Sequence, residues 1–407
     1  MMIRARTNPT HHNVRCLFGA GKLRGISMRT PSKKLLVSSA IAWLGTAVPF
    51  GVTLSGQTPP PVNTKAGTYF KNVTVLKDIP VDEFMGTMGL FSAALSYCCG
   101  DCHIGAGGSN PDWASDKNPR KVIARQMTKM VNTINQANFS GANKVTCWTC
   151  HRGSPSPAVT PPIDSIYGEP LSFPSDVISQ AKPGTGALTL DQILDKYTKA
   201  LGPESTLNGL TSYSAKGTSH LFGETREDPF EIFAKAPNQL VTTVHQREGD
   251  LSRTFNGTIA WVMLPLTVVQ EYQLNPTARE GAKLDAELAF PWKMKSFFPK
   301  WVVGIPGTLD GKAVNIIQGS SPGILATFYF DSQTGLLTRV IHYADSAMGR
   351  VPTQIDYSDY KAFAGVQMPS KWTYSWVSGK EEYTMTDVTP NVQVDAAKFG
   401  RPIQRTK

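Results

Sequence analysis

Acidic side chains are absent from the first 34 residues, which contain eight Lys or Arg. An apolar stretch rich in small residues follows, from Leu35 to Leu54. This order is typical of a secretory signal peptide, so we expect a presequence of residues 1–56 and export to the periplasm or cell envelope. An uncleaved membrane anchor is the alternative because about 20 apolar residues can span a bilayer, although two glycines and a proline interrupt this stretch. No cysteine follows the stretch directly, which argues against a lipoprotein anchor.

Excess positive charge is nearly absent outside the presequence. The net charge of +10 would by itself suit a nucleic-acid partner. Residues 1–56 contain most of this excess, whereas residues 188–407 contain 22 basic and 22 acidic side chains. The exported protein is therefore nearly neutral, and we expect no nucleic-acid partner.

Several enzyme signatures are also missing. Residues 188–407 show no Ser-His-Asp order, no paired-carboxylate motif and no metal cluster. The glycine-rich run 105–108 has neither the strand before it nor the Lys-Ser/Thr after it that a phosphate loop requires. His220, His245 and His342 lie in strand-like stretches, where surface or core histidines are the ordinary interpretation.

Two Cys-x-x-Cys-His motifs, at residues 99–103 and 147–151, are the most informative feature of the sequence. Two thiols at this spacing add across the two vinyl groups of a haem, and the adjoining imidazole binds the iron. We therefore predict two covalently attached c-type haems. The predicted attachment residues are Cys99, Cys102, Cys147 and Cys150, and the predicted iron ligands are His103 and His151.

Two other uses of these cysteines have to be weighed. A four-cysteine zinc ribbon is disfavoured because 44 residues separate Cys102 from Cys147, more than the usual ribbon gap. Two short-loop disulfides are possible in an oxidising compartment, but neither alternative explains the histidine in each motif. The cysteine count leaves Cys98 as a buried or unpaired thiol beside the first motif.

Helical periodicity precedes each motif. Residues 81–95 have apolar side chains at helical spacing, and residues 120–135 repeat the pattern after a helix-start signal at Asn118-Pro119. Each candidate helix contains two methionines, which are ordinary core residues as well as possible sixth ligands of a haem iron. These are Met85, Met88, Met127 and Met130.

The residues from Lys71 to Gly153, including Val81-Asp-Glu-Phe-Met-Gly-Thr-Met88 and Val145-Thr-Cys-Trp-Thr-Cys-His-Arg-Gly153, resemble the cytochrome c subunit of photosynthetic reaction centres and its relatives. The resemblance implies that a methionine from the helix preceding each motif ligates the iron, and Met88 and Met127 match the family's spacing. The chain departs from the fuller members in having two motifs rather than three or four, and nothing in it identifies a reaction centre as its partner.

The remaining sequence divides into a proline-rich connector of residues 154–187 and a strand-rich region of residues 188–407. A helix at about residues 189–201 opens with a capping box, and a hairpin has its turn at residues 331–335. Many sequential strands after one helix predict an antiparallel sheet curled around that helix. The segments 190–213 and 356–369 resemble half-barrel domains related to periplasmic lipoprotein carriers.

The predicted architecture is therefore a mostly helical dihaem module of residues 57–153, followed by an antiparallel half-barrel-like domain with a helix. The predicted function is electron transfer by an exported carrier between redox protein partners, which include a membrane or envelope complex as an option. The alternatives are a peroxidase-like haem enzyme with an open sixth position, and a half-barrel that binds a hydrophobic ligand, with the haems as redox sensors.

Overall fold

The structure is a computed structural model that describes residues 59–108, 110–157, 159–160, 176, 178–182, 186–265 and 267–403. The expected presequence and much of the proline-rich connector lie outside these residues. Among the helices that the structure describes, none is both long and apolar enough to cross a membrane.

Five helices make up the first part of the described chain. They are α1 (Ala66–Tyr69), α2 (Val81–Leu95), α3 (Cys99–Cys102), α4 (Pro119–Phe139) and α5 (Cys147–His151). The two long helices, α2 and α4, lie where the apolar periodicity predicts them. Each is followed in the chain by a one-turn helix that contains a Cys-x-x-Cys motif.

Local signals explain where the long helices begin and end. The side chain of Asn118 accepts a hydrogen bond from the Arg120 amide at 3.1 Å, and Pro119 occupies the first helical position, where a missing N–H costs nothing. Both α2 and α4 end at a serine, Ser96 or Ser140, in the left-handed conformation that commonly terminates a helix.

The second part of the described chain contains one antiparallel sheet of 14 strands, in the order β6-β5-β4-β3-β2-β1-β14-β13-β12-β11-β10-β9-β7, with β8 paired to β9. The strands are β1 (Ser212–Leu221), β2 (Glu227–Lys235), β3 (Gln239–Gln246), β4 (Gly249–Phe255), β5 (Ala260–Met263), β6 (Glu271–Gln273), β7 (Lys300–Val303), β8 (Gly307–Leu309), β9 (Lys312–Ser321), β10 (Ile324–Asp331), β11 (Leu337–Ser346), β12 (Gly349–Phe363), β13 (Val366–Trp376) and β14 (Gly379–Pro390). The predicted antiparallel sheet is confirmed, and it is open.

Three α-helices of the described residues accompany the sheet: α6 (Leu190–Leu201), α7 (Glu204–Gly209) and α8 (Pro276–Glu287). Two 3-10 helices, Pro291–Ser296 and Ala396–Phe399, are also present. The predicted capping box of α6 is present, since Thr189 and Gln192 each bond the other's backbone amide. Four apolar side chains of α6 are buried in the main core with residues of the sheet. The sequence analysis missed α8, which packs across β3, β4, β5, β10 and β11.

The helical part contacts the sheet through the first turn of α2. The Asp82 carboxylate accepts a hydrogen bond from the Asn275 amide at 2.7 Å, and Asn275 is the N-cap residue of α8. The Glu83 carboxylate accepts one from the Ala347 amide in the β11–β12 turn. Burial raises the pKa of both carboxyls. About two turns later, a Cβ added at Gly89 would lie 2.6 Å from a side-chain carbon of Val377, so α2 approaches the sheet closely.

Candidate haem sites

Each Cys-x-x-Cys motif folds as a single helical turn. In both turns the backbone amide of the residue before the motif donates a hydrogen bond to the side chain of the motif's third residue. In the first motif the Asp101 carboxylate accepts a hydrogen bond from the Cys98 amide at 2.8 Å. In the second, the Thr149 hydroxyl accepts one from the Thr146 amide at 3.0 Å. The two motifs therefore share one local geometry, although different side chains close the turn.

The first motif histidine, His103, is held by a backbone carbonyl. Its Nδ1 lies 3.2 Å from the carbonyl oxygen of Trp113, and the two rings are 5.2 Å apart. Since a carbonyl can only accept, Nδ1 donates and Nε2 keeps its lone pair. Burial also lowers the pKa of His103, which favours the neutral imidazole that a metal requires.

The carbonyl that holds His103 is itself fixed by a lysine. Lys121 Nζ donates to the Trp113 carbonyl at 2.9 Å and to the Ser115 carbonyl at 3.1 Å, and its side chain lies largely buried. Asp116 accepts from Arg125 at 2.9 Å and lies 3.5 Å from Lys121. Trp113 and Lys121 thus position the first motif histidine, a role that the sequence alone did not indicate.

The second motif histidine is held in the same way. His151 Nδ1 lies 2.9 Å from the carbonyl oxygen of Ser154, three residues later. The intervening Arg152 and Gly153 both have positive φ, so the chain reverses directly after the motif. The Gly153 amide donates to the Ala94 carbonyl at 2.9 Å, which joins this reversal to the C-terminal end of α2.

These arrangements fit a c-type haem at each motif. In both, the hydrogen bond at Nδ1 fixes the imidazole tautomer and leaves Nε2 available to iron. The four motif cysteines are free thiols, so the short-loop disulfide alternative is wrong for this structure. Cys98 is not among the free thiols of the described residues, which corrects the expectation of an unpaired thiol there.

The methionines of α2 lie beside the first motif. Met85 and Met88 are both half-buried and line the same cavity as Cys99, Cys102 and His103. The predicted ligand Met88 therefore shares a cavity with the predicted ligand His103. Met85, one turn earlier on the same side of α2, lines this cavity too, so the cavity lining does not show which of the two methionines is the iron ligand.

The methionines of α4 lie on an exposed apolar face. Ile123, Met127 and Met130 recur at helical spacing and are each more than a third exposed. Trp148, inside the second motif, is 46% exposed. α4 also contacts α5, the helical turn of that motif. An apolar helix face that the described residues leave uncovered, next to a Cys-x-x-Cys-His motif, suits contact with a porphyrin.

α4 connects the two motifs through two asparagines. Asn118, at its N-terminus, donates from Nδ2 to the Asp101 carbonyl of the first motif at 2.8 Å. Asn135, which is buried, donates to the Val145 carbonyl at 2.8 Å and accepts from the Val145 amide at 2.9 Å, two residues before Cys147. These contacts join residues that are 10 or 17 positions apart in the sequence. The sequence predicted only that Asn118 begins a helix, and it gave no signal for either contact.

Replacing Asn135 with leucine should lower the free energy of unfolding by about 2–4 kcal/mol, because both backbone groups of Val145 would lose their partner. Urea unfolding followed by circular dichroism measures the change. Asn132→Leu, at an exposed position of the same helix, is the matched control and should change stability by less than about 0.5 kcal/mol. Equal effects in the two variants would contradict the structural role of Asn135.

The three histidines of the strand-rich region lie in strands, as predicted. His220 and His245 pair with nearby side-chain or backbone oxygens, at 2.6 Å from the Glu224 carbonyl and 3.0 Å from Asp250 respectively. His342 is buried on β11, with its Nε2 3.4 Å from the Asp285 carboxylate of α8. None of the three lies in a Cys-x-x-Cys-His turn.

Part of the chain is similar in sequence to known proteins. Residues 24–164 match the family model described as photosynthetic reaction centre cytochrome C subunit. The photosynthetic reaction center cytochrome c subunit of Thermochromatium tepidum is 39% identical over 98 residues, which is 23% of each chain. The subunit of Rubrivivax gelatinosus is 34% identical over 97 residues, 23% of this chain and 25% of that protein. The match thus spans about a quarter of the length of these relatives.

Solved structures are similar at low sequence identity. A LolA superfamily protein from Nitrosomonas europaea is 13% identical, with a TM-score of 0.35, and the match covers 53% of this chain and 99% of that one. A DUF1329 family protein from Desulfovibrio piger is 9% identical, with a TM-score of 0.35 and coverage of 52% of this chain and 97% of that one.

The part of the chain that contains both Cys-x-x-Cys-His motifs is similar in sequence to the photosynthetic reaction centre cytochrome c subunit, which confirms the resemblance drawn from its motifs.

Proposed function

We propose that this protein is an exported dihaem c-type cytochrome that transfers electrons between redox protein partners. The observation that carries the proposal is the repeated geometry of the two motifs. In each, free thiols on one helical turn stand beside an imidazole whose Nδ1 donates to a backbone carbonyl. A bound c-type haem supplies a one-electron iron couple, and the chain supplies attachment, ligation and burial.

In this proposal four cysteines attach the haems and two histidines bind the irons from one side. Met88 and Met127 are proposed as the opposite ligands because they lie on the helices that precede the motifs. Thioether ligation raises a haem potential and closes the sixth position, which suits a carrier better than an enzyme that must bind substrate at iron. The support for Met88 is the cavity that it shares with His103, and the support for Met127 is the exposed face of α4.

The N-terminal sequence and the chemistry of thioether attachment support an exported location, in the periplasm or cell envelope. The proposed division is a presequence of residues 1–56, a dihaem module of residues 57–153, a connector of residues 154–187 and a sheet domain of residues 188–407. The sheet domain would place the cytochrome on a partner or an envelope complex. The hydrogen bonds of Asp82 and Glu83 to the sheet support a fixed orientation of α2 on that domain.

Intact mass and optical spectra of the purified exported protein test this function. We expect two covalent haems and, in the oxidised protein, the weak red-end absorption band of methionine bound to ferric iron. Two haems with a high-spin spectrum and ready binding of carbon monoxide would instead support the haem-enzyme alternative. A protein without covalent haem would contradict the cytochrome assignment altogether.

A further inference from the structure

One cavity extends from the first Cys-x-x-Cys-His motif to the sheet. Its volume is about 2480 Å³, and its lining includes His103 at one end and strand residues of the sheet at the other. Pockets for single small molecules or cofactors are usually about 300–1,000 Å³. The cavity therefore has room for a second ligand besides a haem at the first motif.

The sheet end of this cavity is aromatic. Trp372 and Tyr383 stack with ring centroids 4.9 Å apart and an interplanar angle of 6°. Tyr374 and Trp376 lie under the guanidinium of Arg253, at 4.7 and 5.1 Å from its central carbon. All five residues line the cavity. Flat aromatic walls favour a ligand with a planar ring over a simple alkyl chain.

Arg253 is the polar group that can orient such a ligand. It donates through Nη1 to the Tyr383 hydroxyl at 3.3 Å, and the structure gives its other guanidinium donors no hydrogen bond within the described residues. Its side chain keeps 23% of its surface accessible although aromatic residues flank it, so it faces the cavity. An arginine with unused donors in a largely apolar cavity is suited to a ligand oxygen.

The charges around Arg253 favour a neutral ligand oxygen over an anion. The fully buried Glu381 carboxyl lies 3.9 Å from Arg253 and also accepts hydrogen bonds from Ser219 and Tyr383. Asp285 brings a further carboxyl to the cavity wall, where it accepts a hydrogen bond from the Tyr374 hydroxyl at 3.1 Å and lies 3.4 Å from Nε2 of His342. A carboxylate or phosphate headgroup would meet these carboxyls, whereas a carbonyl would only accept from the guanidinium.

We propose that the sheet end of the cavity binds a quinone-class lipid, with its ring between the aromatic walls and a ring carbonyl accepting a hydrogen bond from Arg253. The lipid tail would occupy the apolar remainder of the cavity. The proposal concerns binding alone and stands whether or not the haems transfer electrons as proposed above.

Equilibrium dialysis of the holoprotein against a decyl-substituted benzoquinone tests the site, with the quinone measured in the protein-free chamber. The comparison ligands are a saturated fatty acid of similar length and its methyl ester, which offers a neutral carbonyl without a ring. We expect saturable binding of the quinone that neither comparison ligand matches. Absence of quinone binding, or equal affinity for the methyl ester, would overturn the proposal.

Removing Arg253 alone would leave Glu381 buried without its cation and endanger folding. The informative comparison is therefore Glu381→Gln with the double variant Arg253→Met/Glu381→Gln. We expect the double variant to bind the quinone about tenfold more weakly, as loss of one hydrogen bond from a charged donor implies. Equal affinities would refute the role of Arg253.

A steric variant gives an independent check. Ala344→Phe adds bulk at a half-buried position that lines the cavity and should also weaken quinone binding by about tenfold or more. Arg350→Met is the matched control, because Arg350 pairs with Asp176 and Asp345 at the surface and lies outside the cavity lining. Unchanged binding in Ala344→Phe would place the quinone elsewhere and overturn the site.

Discussion

The double variant Cys99→Ala/Cys102→Ala is expected to contain one covalent haem, half of the two expected for the unsubstituted protein. Both thioether bonds of the first site would be lost, whereas the second motif keeps its thiols and its own support. That support is local, because His151 donates to Ser154 and the turn is closed by Thr149. Intact mass measured under denaturing conditions counts only the haem that remains covalently attached.

The mirror variant, Cys147→Ala/Cys150→Ala, is the matched control and should lose the other haem. The haem contents of the two variants should therefore be equal, while their spectra and potentials differ because the two sites have different surroundings. The first site lies in the cavity beneath α2, and the second lies against the exposed face of α4. An unchanged mass in either variant would show that its motif does not attach haem.

Elements with local signals were predicted well from the sequence. The periodicity of residues 81–95 gave α2, the pair Asn118-Pro119 gave the start of α4, and the capping box of Thr189 and Gln192 gave the start of α6. In each case the residues that specify the element lie within the element itself or directly before it. Patterns of this kind can be recognised in a single sequence because a cap or a helical repeat involves only residues that are close together in the chain.

α8 shows that a local signal can be present and still be missed. Asn275 caps this helix by accepting from the amides of Thr277 and Ala278, and Pro276 stands at its first position. This is the same pattern that identified α4. The signal was passed over because the sequence on both sides is strand-like. The prediction of one helix followed by a sheet left no place for a second helix of 12 residues among the strands.

Contacts between distant residues could not be predicted. β1 pairs with β14, for example at Ser214 and Thr389. Neither strand has a sequence feature that predicts which strand it pairs with. The same holds for Asn135 at Val145 and for the Trp113 carbonyl, which holds both His103 and Lys121. The sequence therefore identified the chemical groups of the candidate sites, whereas only the fold showed what positions them.

Met88→His is the substitution with the largest expected effect on the redox properties. Imidazole in place of the thioether should keep the iron six-coordinate and lower one of the two midpoint potentials, by on the order of 100 mV or more within the wide range that axial ligands control. A spectroelectrochemical titration resolves the two haems as separate components. One component should move, and the other should stay within experimental error.

Met85→His is the matched comparison, because Met85 lines the same cavity one turn earlier on α2. If Met88 is the ligand, Met85→His should leave both potentials nearly unchanged; a shift in that variant alone would transfer the role to Met85. Met127→His should move the component that Met88→His leaves in place, since α4 lies beside the second motif. Additive shifts in the double variant Met88→His/Met127→His would show that each helix ligates its own haem.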